Sequence, residues 1–404
     1  NGSSANPYAT LKRAVMDAKK KFDYNIDITI NLGAGTYTLD ESLFLDFEGN
    51  YVCVCTIKAE GTDLTAMSTL ESGTFASNSH NIHTDTSKSW AVDSLVGKFV
   101  RIKSVNSGSM PTTYNIYLPI IRNGSNWVET AFGTNDDIAN YDIVDFLVTV
   151  NLNNKSVQMY NKFYKYDWYY IKFQNMRGFG GGSGETLSCF LYVCHTGTLS
   201  AGEVMKVYGN GFLYNCFIQA TSSNALNASS IRSCAVYANT NNCVQLHKGD
   251  SSANTMTRSV IRNYSGTKMT PLIFRDNASI GYKNKFVNCV AGARLYGQYV
   301  DFSFSAALTT ELLFDDTNFF LDVRRLAGKS ICASIYPNGS VVFVNEPNIG
   351  RVTTDGTTEI GDYFDLLNGI NLSCIAPTSK QTILKADIIK EKTLGEGIVF
   401  PDKI

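Results

Sequence analysis

Charge is scarce in this chain of 404 residues: Asp, Glu, Lys and Arg make up 18% against 44% hydrophobic residues, and the formal net charge is -1. So few ions leave the surface to uncharged polar groups, which disfavours a helical enzyme with outer faces of Glu, Lys and Arg. No basic run or stripe is written into the chain, so nothing neutralises a phosphate backbone and nucleic acid is not an expected partner. No apolar stretch approaches the ~18 residues of a spanning helix, and no membrane insertion is expected. Cys-x-x-Cys is absent and His is limited to 4, which leaves a zinc cluster without support; no metal is expected. The glycine run from Phe179 to Glu185 lacks a Gly-Lys-Ser/Thr ending, so it reads as a loop between strands, and no cofactor is expected. Proline is also sparse, at 8 residues.

What is abundant is turn chemistry: 36 Asn and 32 Gly, with many Ser and Thr. That composition suits many short strands joined by turns, where Asn and Gly supply the unusual backbone angles. The 10 cysteines, among them Cys53, Cys55, Cys216 and Cys234, sit mostly in apolar strand-like contexts and read as buried free thiols of a protein folded in a reducing compartment such as a cytosol. The start at Asn1, without Met or a secretory pattern, reads as a processed or truncated beginning.

Residues 7–24 place Tyr8, Leu11, Val15, Ala18 and Phe22 at helical spacing. Alternation over Ile26 to Ile30, the turn Asn31-Leu32-Gly33-Ala34-Gly35-Thr36-Tyr37 and Leu43-Phe44-Leu45 follow as short strands. A capping helix followed by strand, glycine turn and strand resembles the entrance of a right-handed parallel β-helix of the pectate-lyase-like superfamily. Gly33-Ala34-Gly35-Thr36-Tyr37 resembles the start of phage tailspikes and extracellular polysaccharide-degrading enzymes. The resemblance implies a carbohydrate-recognising protein of a virion tail or cell exterior, often a homotrimer and often degrading the glycan it binds.

The expected fold is therefore all-β: a cap helix and first rungs over 1–73, an inserted antiparallel β-domain over 74–153, a parallel β-helix body over 154–328 and a C-terminal β-rich cap or oligomerisation module over 329–404. Within the body a polar residue precedes a small one at Asn215-Cys216, Ser233-Cys234, Arg258-Ser259 and Asn288-Cys289, the second residues lying 18, 25 and 30 apart. Coils of a β-helix tolerate such unequal periods because turns vary while strands stay stacked. Aligning Val204 to Tyr208, Cys243 to His247, Pro271 to Arg275 and Ala293 to Tyr296 sends Val244, Leu246, Leu272 and Phe274 inward, and Gln245, His247, Ile273 and Arg275 outward. Ser330 to Tyr336 and Val341 to Val344 read as a hairpin around Pro337-Asn338-Gly339-Ser340.

The sharpest polar cluster is His247, Lys248 and Asp250 on one rung beside Arg275 and Asp276 on the next, with Tyr208, Gln245 and Arg294 as candidate substrate-binding residues on or beside those rungs. Two reactions fit. In β-elimination on a uronate polymer, Arg275 or Lys248 neutralises the carboxylate, His247 takes the C5 proton and Tyr208 protonates the leaving oxygen. In hydrolysis, Asp250 and Asp276 form the acid/base pair. Asp315, Asp316 and Asp322 are a second, weaker carboxylate group. The competing readings are a non-catalytic receptor-binding or structural tail protein and a secreted bacterial polysaccharide lyase.

Overall fold

The computed structural model describes residues 8–21, 26–47, 53–79, 81–111, 113–160, 164–180, 188–199, 205–221, 225–240, 243–247, 256–265, 272–275, 284–287, 290–296, 312–315, 318–322, 341–344 and 349–353. Among them the one α-helix is Leu11–Lys21, opened by Thr10, whose Oγ1 accepts the Arg13 amide at 3.1 Å. Leu11, Val15 and Ala18 are its buried side. The helix packs on Ile28–Leu32, the edge strand of the first parallel sheet, and covers apolar and backbone groups that an open coil end would expose.

The other described residues are strand and turn, with one short 3-10 helix at Thr113–Ile116, and the strands coil. A first face stacks Ile28–Leu32, Cys53–Ala59, Tyr164–Tyr169 and Ser188–Tyr192 in parallel. A second face stacks Gly35–Thr38, Val148–Asn151, Ile171–Gln174 and His195–Leu199. A third stacks Leu43–Leu45, Ser156–Met159 and Gly178–Gly180. From Met205–Tyr214 onward the third and first faces are crossed by one strand: it pairs with Leu226–Arg232 through both halves, with a register shift between Val207 and Phe212. The chain is a parallel β-helix.

Alternation builds its core. Cys55 and Ile57, Tyr166 and Trp168, then Cys189 and Leu191 follow one another up the inside of the first face, all at most 1% exposed. Val148, Val150, Ile171, Phe173, Ile218, Val236 and Ile261 face them from the second.

The corner between first and second faces explains the polar-small motif. Tyr170, Val193, Asn215, Ser233 and Arg258 occupy it with φ of 58°, 51°, 51°, 50° and 53°, the left-handed conformation that turns the chain through one residue. The next residue points inward, and after four of these five residues it is Cys or Ser. Cys194, Cys216 and Cys234 fill that position in a column, each thiol donating to the carbonyl two residues before it and to a carbonyl of the previous rung: Cys216 Sγ reaches Tyr214 O at 3.2 Å and Leu191 O at 3.4 Å. Ser259 continues the column with Oγ on Thr257 O at 3.0 Å. The seven described cysteines are buried and form no disulfide, and burial pushes the Cys55 and Cys243 thiols up to about 12, so these sulfurs are packing groups rather than nucleophiles.

Between Cys53–Ala59 and Val148–Asn151 the chain leaves the coil and makes an antiparallel seven-stranded sheet, in the order Met67–Thr74, Asn140–Phe146, Phe99–Ile102, Tyr117–Asn123, Trp127–Thr130, Ile82–Thr84 and Ser77–Ser79. The sheet therefore spans Met67 to Phe146, and Val148–Asn151 already belongs to the coil. It folds back on the outer side of the second face: Phe99, Tyr117, Ile121, Phe132 and Val144 share one buried cluster with the body's core.

Val341–Val344 is the one described arm of the expected hairpin. It pairs in parallel with Leu312–Asp315, and Ile349–Thr353 with Asn318–Asp322, so rungs run on past residue 328. A β-rich run with period two looks the same in a hairpin and in a rung, and only the partner distinguishes them. Residues 330–336 and 354–404 lie outside the described residues, so most of the expected C-terminal module does too.

Candidate functional site

Of the three faces, the second is occupied by the protein itself. Arg262 makes a two-pronged pair with Asp93 at 3.0 and 2.8 Å, and Lys285 meets Glu129 at 2.7 Å. Asn215 Nδ2 donates to Tyr117 O and the Phe132 amide to Arg258 O. His195 lies under Gly97, whose φ of 84° and lack of a side chain permit the approach: a Cβ there would sit 2.9 Å from His195 Nε2. An external polymer is left the first and third faces.

The first face carries a ladder of rings. Tyr169, Tyr192 and Tyr214 are register partners on successive rungs, stacked at 4.6 and 5.4 Å between centroids. Phe190 and Phe212 form a second column at 5.0 Å, with Phe190 6.0 Å from Tyr192 in the same rung. Stacking along the coil axis buries the ring faces against one another and turns edges outward. The ladder thus presents no open ring faces for sugars to lie on; Tyr169 and Tyr214 are half-buried and Tyr192 is 8% exposed. Its columns end in cations: Lys58 is the register partner of Tyr169 below, Arg232 of Tyr214 above, and Lys165 Nζ sits 4.0 Å over the Phe190 ring.

Asp167 stands where the two columns begin. Its side chain is 6% exposed, Oδ2 is 3.1 Å from Lys165 Nζ and 3.4 Å from Tyr169 Oη, and Oδ1 has no hydrogen-bond partner among the described residues. Burial raises its pKa, against the pull of Lys165. A carboxyl biased toward its protonated form beside an open face suits proton donation to a leaving oxygen. The sequence hid it within Tyr-Lys-Tyr-Asp-Trp-Tyr-Tyr, which reads as core; the alternation that puts Tyr166 and Trp168 inside was the available signal. A carboxyl with a folded pKa above its unfolded value stabilises the fold while protonated, and that stability is lost as pH rises through the folded value. Asp167→Asn is therefore expected to raise the urea midpoint at pH 7, with the gain shrinking toward pH 4; a lower midpoint at pH 7 means the Lys165 pair outweighs burial.

The residues singled out from sequence fall on the third face. Register sets His247 directly opposite Arg275 on adjacent rungs, with Gln245 opposite Ile273. Arg275 is opposite Tyr296 and Phe274 opposite Leu295, which puts Arg294 in the column of Ile273 and Gln245. Tyr208 follows Val207, and Val207 is the partner of Ala228, itself the partner of Leu246; it lies two rungs before His247. Tyr296 was overlooked, though it shares the column of His247. Lys248, Asp250 and Asp276 lie outside the described residues, as does Asp316; Asp322 is the partner of Arg294.

One expectation fails. Gln245 is not at the solvent: it is 3% exposed, and its column neighbour Asn227 is 1%. Alternation fixes which side of a sheet a residue takes, and does not say whether that side is covered. The other described histidines are no acid/base candidates, since burial holds His83 and His195 down to about 3. No group of three metal-ligating side chains occurs among the described residues.

No family model matches the chain, and no curated protein does. Among solved structures it is similar to the Gp54 tailspike of Acinetobacter baumannii bacteriophage AP22, in complex with A. baumannii capsular saccharide, at 9% identity over 86% of this chain and 72% of that one, TM-score 0.21. It is similar also to the tailspike protein gp49 from Pseudomonas phage LKA1, at 12% identity over 85% and 70%, TM-score 0.21. Both are phage tailspikes. The parallel β-helix assigned to this chain follows from its own strand register.

Proposed function

We propose that the chain is a tailspike-like protein that holds a bacterial surface polysaccharide along the first and third faces of its β-helix. The observation that carries this reading is the register of the first face: Tyr169, Tyr192 and Tyr214 repeat on successive rungs at ~4.8 Å, Tyr169 and Tyr214 half-buried, so aromatic side chains stand in a row long enough for a polymer. The second face is closed by the inserted sheet, which leaves the first and third faces, with Asn227 and Gln245 buried on the third. The site is a virion tail or cell exterior and the oligomer a homotrimer in this reading, both resting on the resemblance at Gly33 to Tyr37.

Cleavage is the finer part of the proposal. His247 and Arg275, paired in register, serve as base and carboxylate-neutralising cation of an elimination, with Lys248 as the alternative cation and Tyr208, two rungs before His247, as the acid; Asp250 and Asp276 serve as the acid/base pair of a hydrolysis, with Asp167 a further candidate acid. Incubating the protein with purified capsular polysaccharides and sizing the products tests it. A lyase releases unsaturated ends absorbing near the ultraviolet edge, a hydrolase releases reducing ends without them, and His247→Ala or Asp276→Ala lowers the rate at least ~100-fold, the usual weight of a general acid or base. Binding without shortening of any glycan leaves the receptor-binding reading in place and removes the enzymatic one.

A further inference from the structure

Cations on this coil are distributed very unevenly in relation to their partners. On the second face two cations are matched, Arg262 by Asp93 and Lys285 by Glu129, both acids coming from the inserted segment, while Lys172 has no carboxylate partner among the described residues. On the first and third faces, the strands from Leu43–Leu45 to Val290–Tyr296 contain a single acid, Asp167, which is buried and held by Lys165. The same strands contain Lys58, Lys165, Lys206, Arg232, Arg275 and Arg294. Lys58 is half-buried and Arg232 exposed, and neither has a carboxylate partner among the described residues. In a chain whose 35 Lys and Arg are balanced by 36 Asp and Glu, these strands carry six cations against one acid, and the next rung, Asn318–Asp322, adds Asp322 opposite Arg294.

Resting on the reading that this surface holds a glycan, we infer that the glycan is acidic, with carboxylates set well apart. Lys58, Tyr169, Tyr192, Tyr214 and Arg232 are consecutive register partners in one column. Lys58 and Arg232 therefore lie four rungs apart, ~19 Å at ~4.8 Å per rung, with tyrosines between. A nucleic acid strand presents a phosphate every ~3.4 Å and needs a denser row of cations. A polysaccharide with hydroxyls between its acid groups matches the order cation, tyrosines, cation. The unpartnered cations at the ends neutralise two carboxylates, and the ring edges and hydroxyls meet the neutral sugars.

The test is a panel of purified bacterial capsular polysaccharides, acidic and neutral, with dextran and a thirty-nucleotide thymidine strand as further probes, titrated at 50 and 300 mM NaCl. Binding is expected only among acidic glycans, weakening severalfold or more at the higher salt. Lys58→Gln and Arg232→Gln are each expected to weaken it about tenfold at low salt, with unchanged thermal midpoints, because neither substitution breaks an ion pair among the described residues. Binding confined to neutral glycans, or affinities within twofold of the parent in both variants, overturns the inference while leaving glycan binding intact. Failure to bind any polysaccharide, or tighter binding of the thymidine strand than of every glycan, overturns both.

Discussion

Glu129→Ala is expected to destabilise the fold by about 3–5 kcal/mol, read as a drop in the urea midpoint with the slope unchanged. Glu129 is wholly buried between the inserted sheet and the second face, where Lys285 Nζ approaches at 2.7 Å, Asn81 Nδ2 donates at 3.2 Å and Arg122 Nε donates from its own hairpin. The Lys285 side chain is 6% exposed. Removing the carboxylate leaves an ammonium and a guanidinium facing each other in low dielectric, and that penalty exceeds the worth of any one of its hydrogen bonds. Replacing charge on both sides, as in Glu129→Leu with Lys285→Met, is expected to recover most of the stability, since buried ion pairs exchange for apolar groups at little net cost. Equal destabilisation in the single and double variants means that shape complementarity at this seam, not charge, joins the sheet to the coil.

That seam was the part of the fold least legible in the chain. Val148–Asn151 and Ile171–Gln174 announce themselves as strands by alternation, and the Asn215-Cys216 and Ser233-Cys234 pairs mark the corner because a left-handed residue followed by a slim inward one is a local requirement. Tyr170-Ile171 and Val193-Cys194 occupy the same corner and carry no such mark, since packing there overrides the preference of the residue. Pairings such as Arg262 with Asp93, separated by 169 positions, leave no local trace at all.

The candidate surface divides in the same way. Aligning apolar centres was enough to bring His247 beside Arg275, because register follows from the pleat. The row from Lys58 through three tyrosines to Arg232 was invisible, since its members are spread over 175 positions and come together only when the coil closes and the inserted segment is looped out. Sequence shows no basic stripe because the stripe is perpendicular to the chain.

Acid is expected to unfold the protein well above the range where its carboxylates titrate. His83 is fully buried, with Nδ1 2.7 Å from Asn78 Oδ1 and Nε2 3.2 Å from Thr130 Oγ1, and its ring stacks on Phe75. His195 is buried among Phe146 and Phe217, and its Nδ1 accepts the Gly197 amide at 2.8 Å, so that nitrogen is kept unprotonated. Burial lowers both to about 3 from an ordinary 6.5. For a base whose folded pKa lies below its unfolded one, the unfolded chain takes up the extra proton, so stability is intact above 6.5 and falls as pH drops from there toward 3. At pH 5 each ring contributes a loss of ~2 kcal/mol and the pair ~4, a large share of a typical margin. Urea midpoints measured from pH 7.5 to 4.5 should fall continuously below 6.5. His195→Gln, which cannot titrate, should start from a lower midpoint but lose about half of the slope. A midpoint level down to pH 5, or a slope untouched by the substitution, would mean that the rings accept protons without leaving their places, and that the packing of Gly97 over His195 is looser than its geometry implies.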